Sequence, residues 1–195
     1  MSAQENENEP SARSANLEVM QNAVQQITDG ILESAHLGSG DSVTVKVAPQ
    51  EHAWVAEQAI ISKLKFHNLF VFFHRDSSAK THYLLDVRSI ALQVRYDHMF
   101  RDGLFGTKRV ERQISAQLSC QLENKSSNEI LYSGSPSKML SDTVAVDDIE
   151  KLEHTGVNVT HGELPSENFL DRIVEPFVII GATGVAVYLL FHIRS

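Results

Sequence analysis

Apolar side chains fall in regular phases along most of this chain, and the period changes from segment to segment. Leu17, Met20, Val24, Ile27 and Ile31 recur at steps of three and four, the spacing of one stripe on an amphipathic helix. Gly38, Gly40 and Asp41 break that pattern. Val43, Val45 and Val47 then alternate with Thr44 and Lys46, which predicts a short strand ended by Pro49. A second helix is predicted to bury Trp54, Val55, Ala59, Ile61 and Leu64. The run Leu69–Phe73 (LFVFF) is too short for a helix and reads as a central strand.

Two long strands follow. Tyr83, Leu85 and Val87 are apolar at odd positions, whereas Ile90, Leu92, Val94 and Tyr96 are apolar at even ones, so a bulge is expected near Arg88 and Ser89. Asp97–Lys108 contains Gly103 and Gly106 and reads as a loop. Val110, Ile114, Ala116, Leu118, Cys120 and Leu122 then point one way, and Glu111, Gln113, Ser115, Gln117, Ser119 and Gln121 the other. Glu123–Glu129 makes a turn to a partner strand starting at Ile130–Tyr132, and Asp147–Glu153 fits a short helix. The fold class expected is α/β (α+β), a single small mixed-sheet domain with flanking helices. Its boundaries are a disordered arm at 1–16, the α/β domain at 17–154, a tether at 155–172 and a transmembrane helix at 173–193.

The last assignment rests on Pro176–Ile193, which contains no Asp, Glu, Lys or Arg. As a helix these residues extend ~27 Å, close to a hydrocarbon core of ~30 Å. A core helix of a small domain is amphipathic, whereas this segment is apolar on every face. Tyr188 and His192 suit the headgroup region, and Gly181, Ala182, Gly184 and Ala186 permit close packing of two spans and so a homo-oligomer. Orientation is a tie, with Arg172 on one side and Arg194 on the other. The first sixteen residues lack the basic start and apolar run of a secretory signal, so either none exists or one has been removed.

Composition narrows the chemistry. The 195 residues carry a net charge of -8, which argues against nucleic acid as a partner. A single cysteine, Cys120, rules out an internal disulfide framework and reads as a small buried apolar residue. Nine histidines show no HExxH and no i, i+4 pair, so no metal site is expected. There is no GxSxG, GxGxxG or GxxxxGK[ST] motif, and no catalytic or cofactor-binding residue is assigned. Asp147 with Asp148, or Glu150 with Glu153, read as a solvated face. Lys108, Arg109 and Arg112 form a small basic cluster. Asn124-Lys-Ser126 and Asn158-Val-Thr160 match glycosylation sequons. Two interaction surfaces are predicted: the polar face of Glu111–Gln121, and the loop Met99–Lys108, where Phe100, Leu104 and Phe105 would anchor a protein partner unless they fold back onto the core.

The string Val43–Ser133, a strand, a Trp-containing helix, LFVFF, YLLDV and GLFGTKRVERQISAQL, resembles the small α/β domain of bacterial envelope proteins of the curli-secretion lipoprotein and Tol-protein amino-terminal type. Asp148-Ile149, Leu152-Glu153, Glu175-Pro176 and the closing YLLFHIRS resemble bacterial membrane proteins that join such a domain to a final span. The amino-terminal lipidated cysteine of those lipoproteins has no counterpart here. The resemblance implies a non-catalytic interaction or assembly role in the cell envelope, with the bilayer bound through residues 176–193 and a protein partner at the domain. A cytosol-facing tail-anchored adaptor, or an enzyme with a site not visible in the sequence, are the alternatives.

Overall fold

The computed structural model describes residues 14–73, 81–103 and 106–166, together with Leu189. The chain divides into two units, Met1–Glu163 and Leu164–Ser195. The first holds α1 (Asn16–Ala35), β1 (Ser42–Val47), α2 (Ala53–Phe66), β2 (Phe70–Phe73), β3 (Tyr83–Arg101), β4 (Lys108–Asn124), β5 (Glu129–Gly134), β6 (Ser137–Ala145) and α3 (Ile149–Leu152). The strands form one mixed sheet in the order β2-β1-β3-β4-β5, with β6 also paired to β4. β1 runs parallel to β2 and β3, as a β–α–β crossover demands, and the remaining pairs are antiparallel.

One face of the sheet is buried. Ala23, Val24, Ile27 and Ile31 of α1 meet Ala56, Ala59, Ile60 and Leu64 of α2 over Val43, Val45, Leu85, Val87, Leu118, Cys120 and Leu122. A second cluster joins Met20 and Val55 to Val94, Tyr96, Val110, Ile114, Val144, Ile149 and Leu152. Alternation along β4 is as its sequence predicts, with Leu118 fully buried and Gln117 exposed. The phase change in β3 is a register shift between Val87 and Ser89, which keeps apolar residues on the helix side before and after it. Asp29 of α1 ties the two helices together, accepting from Lys63 Nζ and His67 Nε2, each at 2.8 Å. Burial pushes its carboxyl up, but the hydrogen bonds from Lys63 and His67 and the Lys63 ammonium outweigh it and hold the group below the usual carboxylate range.

Several expectations change. Trp54 is exposed and Ile61 half-buried, because α2 turns Val55, Ala56, Ala59, Ile60 and Leu64 inward instead. LFVFF contributes an edge strand rather than a central one, so Phe70, Phe72 and Phe73 stand exposed. β3 continues through the expected loop to Arg101, with a second register shift between Asp97 and Phe100. β6 is an additional strand. It shares the far edge of β4 with β5, pairing with Arg109–Gln117 while β5 pairs with Cys120–Asn124.

Both domain boundaries move outward. Asn16, placed in the arm by composition, is fully buried at the start of α1, while residues 1–13 lie outside the described residues. The stretch from Thr155 to Glu163, expected as tether, packs on the domain, with Val157 and Thr160 buried. The predicted span and its small residues Gly181, Ala182, Gly184 and Ala186 lie outside the described residues, apart from Leu189. Among the described residues no helix is long and apolar enough to cross a membrane.

A buried polar network joins these ends. Arg112 takes the inward phase of β4 between Val110 and Ile114, with 1% of its side chain exposed. Its Nε and Nη2 donate to Asp142 Oδ1 and Oδ2 at 2.8 and 2.6 Å. Its Nη1 donates to the Ser14 carbonyl at 2.9 Å and to Asn16 Oδ1 at 2.8 Å. Asn16 Nδ2 in turn donates to the Tyr96 hydroxyl at 2.9 Å and to the Thr160 carbonyl at 2.7 Å. Tyr96 and Asp142 are the direct cross-strand neighbours of Arg112 on either side. Gly162 lies against the Tyr96 ring, where an added Cβ would sit 2.8 Å from two ring carbons.

Three stability outcomes follow, each read from urea melts. Leu118→Lys should lose ~3 kcal/mol or more by burying an unpaired ammonium, whereas Gln117→Lys should stay within ~0.5 kcal/mol of wild type. Asp142→Ala should cost ~3 kcal/mol by stranding a buried guanidinium, whereas Asp148→Ala, which breaks only the exposed pair with Lys151, should leave the urea midpoint unchanged. Gly162→Ala should cost ~1–2 kcal/mol through the clash with Tyr96.

Candidate interaction surface

α1, α2 and α3 bury their apolar residues on the same side of the sheet. Among the described residues no helix packs on the other side, where Gln93, Arg95, Gln113, Ser115, Gln117, Ser119 and Gln121 point outward in adjacent rows of β3 and β4. Thr143, Ser141, Met139 and Ser137 of β6 extend these rows across the strand. Polar contacts link neighbouring strands on this face: Arg88 Nη2 donates to Gln121 Oε1 at 2.7 Å, and Lys46 pairs with Asp86 at 3.1 Å. This is the polar face that alternation in Glu111–Gln121 predicts. It offers a partner side-chain amides and hydroxyls, bordered by the exposed guanidinium groups of Arg88 and Arg95.

β3 and β4 are joined by residues 102–107, of which 102, 103, 106 and 107 are described. Gly103 has a φ of +77°, and the Asp102 amide donates to the Thr107 carbonyl at 3.2 Å. Arg101 Nη1 donates to the Gly106 carbonyl at 3.3 Å, and Arg109 pairs with the Asp102 carboxylate. A Cβ on Gly106 would fall 1.7 Å from the Asp102 carbonyl oxygen, so only glycine fits this turn. Phe100 is 46% exposed at the base of the turn, on the side strand of the predicted anchor loop. Leu104 and Phe105, the other two members of that loop, lie outside the described residues.

The basic cluster predicted from Lys108, Arg109 and Arg112 is not a surface patch. Arg112 is buried in its network and Arg109 is neutralised by Asp102, because alternation sends residues 109 and 112 to opposite faces. Glu153 is likewise not on a solvated face. Its carboxylate accepts from the Gly162 amide and pairs with His161, each at 3.0 Å, and only 15% of the side chain is exposed. The threonine of the Asn158-Val-Thr160 sequon is fully buried and hydrogen-bonded to the Val157 carbonyl at 2.7 Å.

No described group of three His, Cys, Asp or Glu side chains converges as a metal cage would. Burial on the helix side of β4 pushes the Cys120 thiol up to about 11, away from the thiolate a nucleophile requires. Burial also raises the Tyr96 phenol above its ordinary value. The residues that sequence reasoning missed are Trp54, Phe66, Phe70, Phe72 and Phe73. Apolar runs read as core, and only the edge position of β2 reveals them as surface.

No protein-family model matches the chain, and neither does any curated protein sequence. Among solved structures it is similar to the C-terminal domain of LpoB from Salmonella enterica, at 12% identity and a TM-score of 0.35, covering 61% of this chain and 97% of that one. It is also similar to a neuraminyllactose-binding hemagglutinin homolog from Helicobacter pylori, at 10% identity and a TM-score of 0.34, covering 75% and 82%.

The thiol gives a direct test. At pH 8 iodoacetamide should label Cys120 of the folded chain about two orders of magnitude more slowly than after denaturation. Because the unfolded thiol ionises first, near its ordinary 9.0, stability should fall as pH rises from about 9 toward 11. Labelling at equal rates in both states would show that the thiol is not buried.

Proposed function

We propose that this chain is a single-pass, membrane-anchored interaction protein of the bacterial cell envelope, acting by binding rather than catalysis. The observation that carries the reading is the charge-free run Pro176–Ile193, set a short distance after a folded unit that ends at Glu163. The envelope setting is supported by the resemblance of the Val43–Ser133 string to small envelope domains. A binding role is supported by the open amide-and-hydroxyl face of the sheet and by Phe100 standing exposed beside the hairpin turn. The inward placement of Cys120 removes the one thiol from consideration as a nucleophile. In this reading the domain engages a protein partner through the hairpin end, with Phe100, Leu104 and Phe105 as anchors. Spans of two copies pack through Gly181, Ala182, Gly184 and Ala186.

The test is extraction and accessibility. The full chain should stay in the membrane pellet through alkaline carbonate, and deletion of Phe177–Ile193 should move it to the soluble fraction while it keeps a cooperative melt. Protease added to intact spheroplasts should cut an outward-facing domain. Protection until lysis would favour the cytosol-facing adaptor. Extraction of the full chain by carbonate would sink the anchoring reading, and a robust turnover abolished by a single His, Cys or Asp substitution would sink the binding one.

A further inference from the structure

β6 is an open edge of the sheet: one side pairs with β4, and no described strand pairs with the other. Its residues alternate between two faces. Lys138, Leu140, Asp142 and Val144 align with Ala116, Ile114, Arg112 and Val110 on the helix face, whereas Ser137, Met139, Ser141 and Thr143 continue the polar rows of the open face. Edge strands are commonly guarded by a charge that an added strand would have to bury, and Lys138 is such a guard. It is exposed and makes no ion pair among the described residues. Four residues on, along the same face, Asp142 holds Arg112 and still leaves 41% of its side chain exposed. A carboxylate accepts several hydrogen bonds, so Asp142 can take a second cation without releasing the first.

Laid antiparallel to a second copy of itself, β6 matches this spacing. Directly opposed residues of an antiparallel pair share a face, so a two-fold axis perpendicular to the sheet must fall at a single residue. With the axis at Leu140, Lys138 of each copy stands opposite Asp142 of the other, Leu140 meets Leu140, and Met139 meets Ser141. The neighbouring registers fail. An axis at Ser141 sets Lys138 against Val144 and Leu140 against Asp142, one at Met139 sets Lys138 against Leu140, and one at Asp142 opposes the two carboxylates. An extended segment of another protein is the competing occupant. A strand with plain apolar alternation would cover Lys138 with an apolar side chain and strand its ammonium, whereas β6 carries the required carboxylate at the matching step. We propose that two copies of this chain join β6 to β6 in antiparallel, closed by two reciprocal Lys138–Asp142 pairs about Leu140, so that one sheet runs through both domains. This interface is separate from the span packing proposed above and uses only residues of the folded domain.

Cysteine cross-linking of the full chain in detergent reads the register. Directly opposed Cα atoms lie ~4.5–5.5 Å apart, within disulfide reach, whereas the two copies of residue 138 would lie ~14 Å apart. Under a mild oxidant Leu140→Cys should form covalent dimers at least ~10-fold faster than Lys138→Cys. The wild-type chain, with Cys120 buried, should form none. Met139→Cys and Ser141→Cys alter only the open face, and these chains should cross-link when mixed and several-fold less when each is alone. In the Leu140→Cys background Lys138→Glu opposes carboxylate to carboxylate and should cut the dimer yield at least ~10-fold, while Lys138→Arg keeps it. Urea melts of both should match their parent, because position 138 is exposed and the Arg112–Asp142 pair is left intact. Equal rates at 138 and 140, as two packed spans without a shared sheet would give, overturn the proposal. So does a Leu140→Cys chain that stays monomeric, or that traps another protein from cell extract in place of its own copy. Carbonate extraction reads the membrane anchor separately and leaves this pattern unchanged.

Discussion

The buried guanidinium of Arg112 is the constraint on which the rest of this domain depends. Taking that charge out of water is costly, and only an opposite charge with every donor satisfied makes it tolerable. Asp142 supplies the charge in a two-pronged contact to Nε and Nη2, and the Ser14 carbonyl and Asn16 Oδ1 accept from Nη1. Each requirement fixes a different element. β6 must register with Asp142 opposite Arg112, and α1 must begin where Asn16 reaches the sheet. A two-residue slip of β6 would keep its apolar alternation but place Leu140 or Val144 against the guanidinium. Apolar packing alone tolerates that slip, and the ion pair does not.

Much of the framework can be read from periodicity. The stripe of α1, the bulge after Val87 and the inward phase of β4 all follow from where apolar residues recur. β6 escapes because SKMLSDTVA puts only Leu140 and Val144 in phase, too few to stand out from a polar linker. The edge position of β2 escapes because LFVFF carries no information on which strands flank it. The stretch after Thr155 escapes for another reason: Thr160 and Gly162 attach it through a hydroxyl, a carbonyl and a ring face, contacts to which hydropathy is blind. A usable signal did exist at Arg112. A charged residue in the apolar phase, between Val110 and Ile114, announces a buried partner.

The candidate surface was legible in the same uneven way. Alternation along β4 exposed the polar face directly, and glycine content located the hairpin turn. The aromatic edge was hidden because composition treats exposed and buried phenylalanine alike, and only sheet order tells them apart.

The packing of Gly162 against Tyr96 has a mechanical side. A pull on the chain beyond Glu163 meets the Glu153 contact at Gly162 and then the Thr160 carbonyl held by Asn16. Asn16 is bonded to Arg112, and Arg112 sits in the strand that pairs with β3, β5 and β6. Tension is therefore passed link by link to the middle of the sheet rather than to an outer strand. Loosening the stretch after Thr155 thus disturbs the guanidinium network at the sheet centre before it reaches any edge strand.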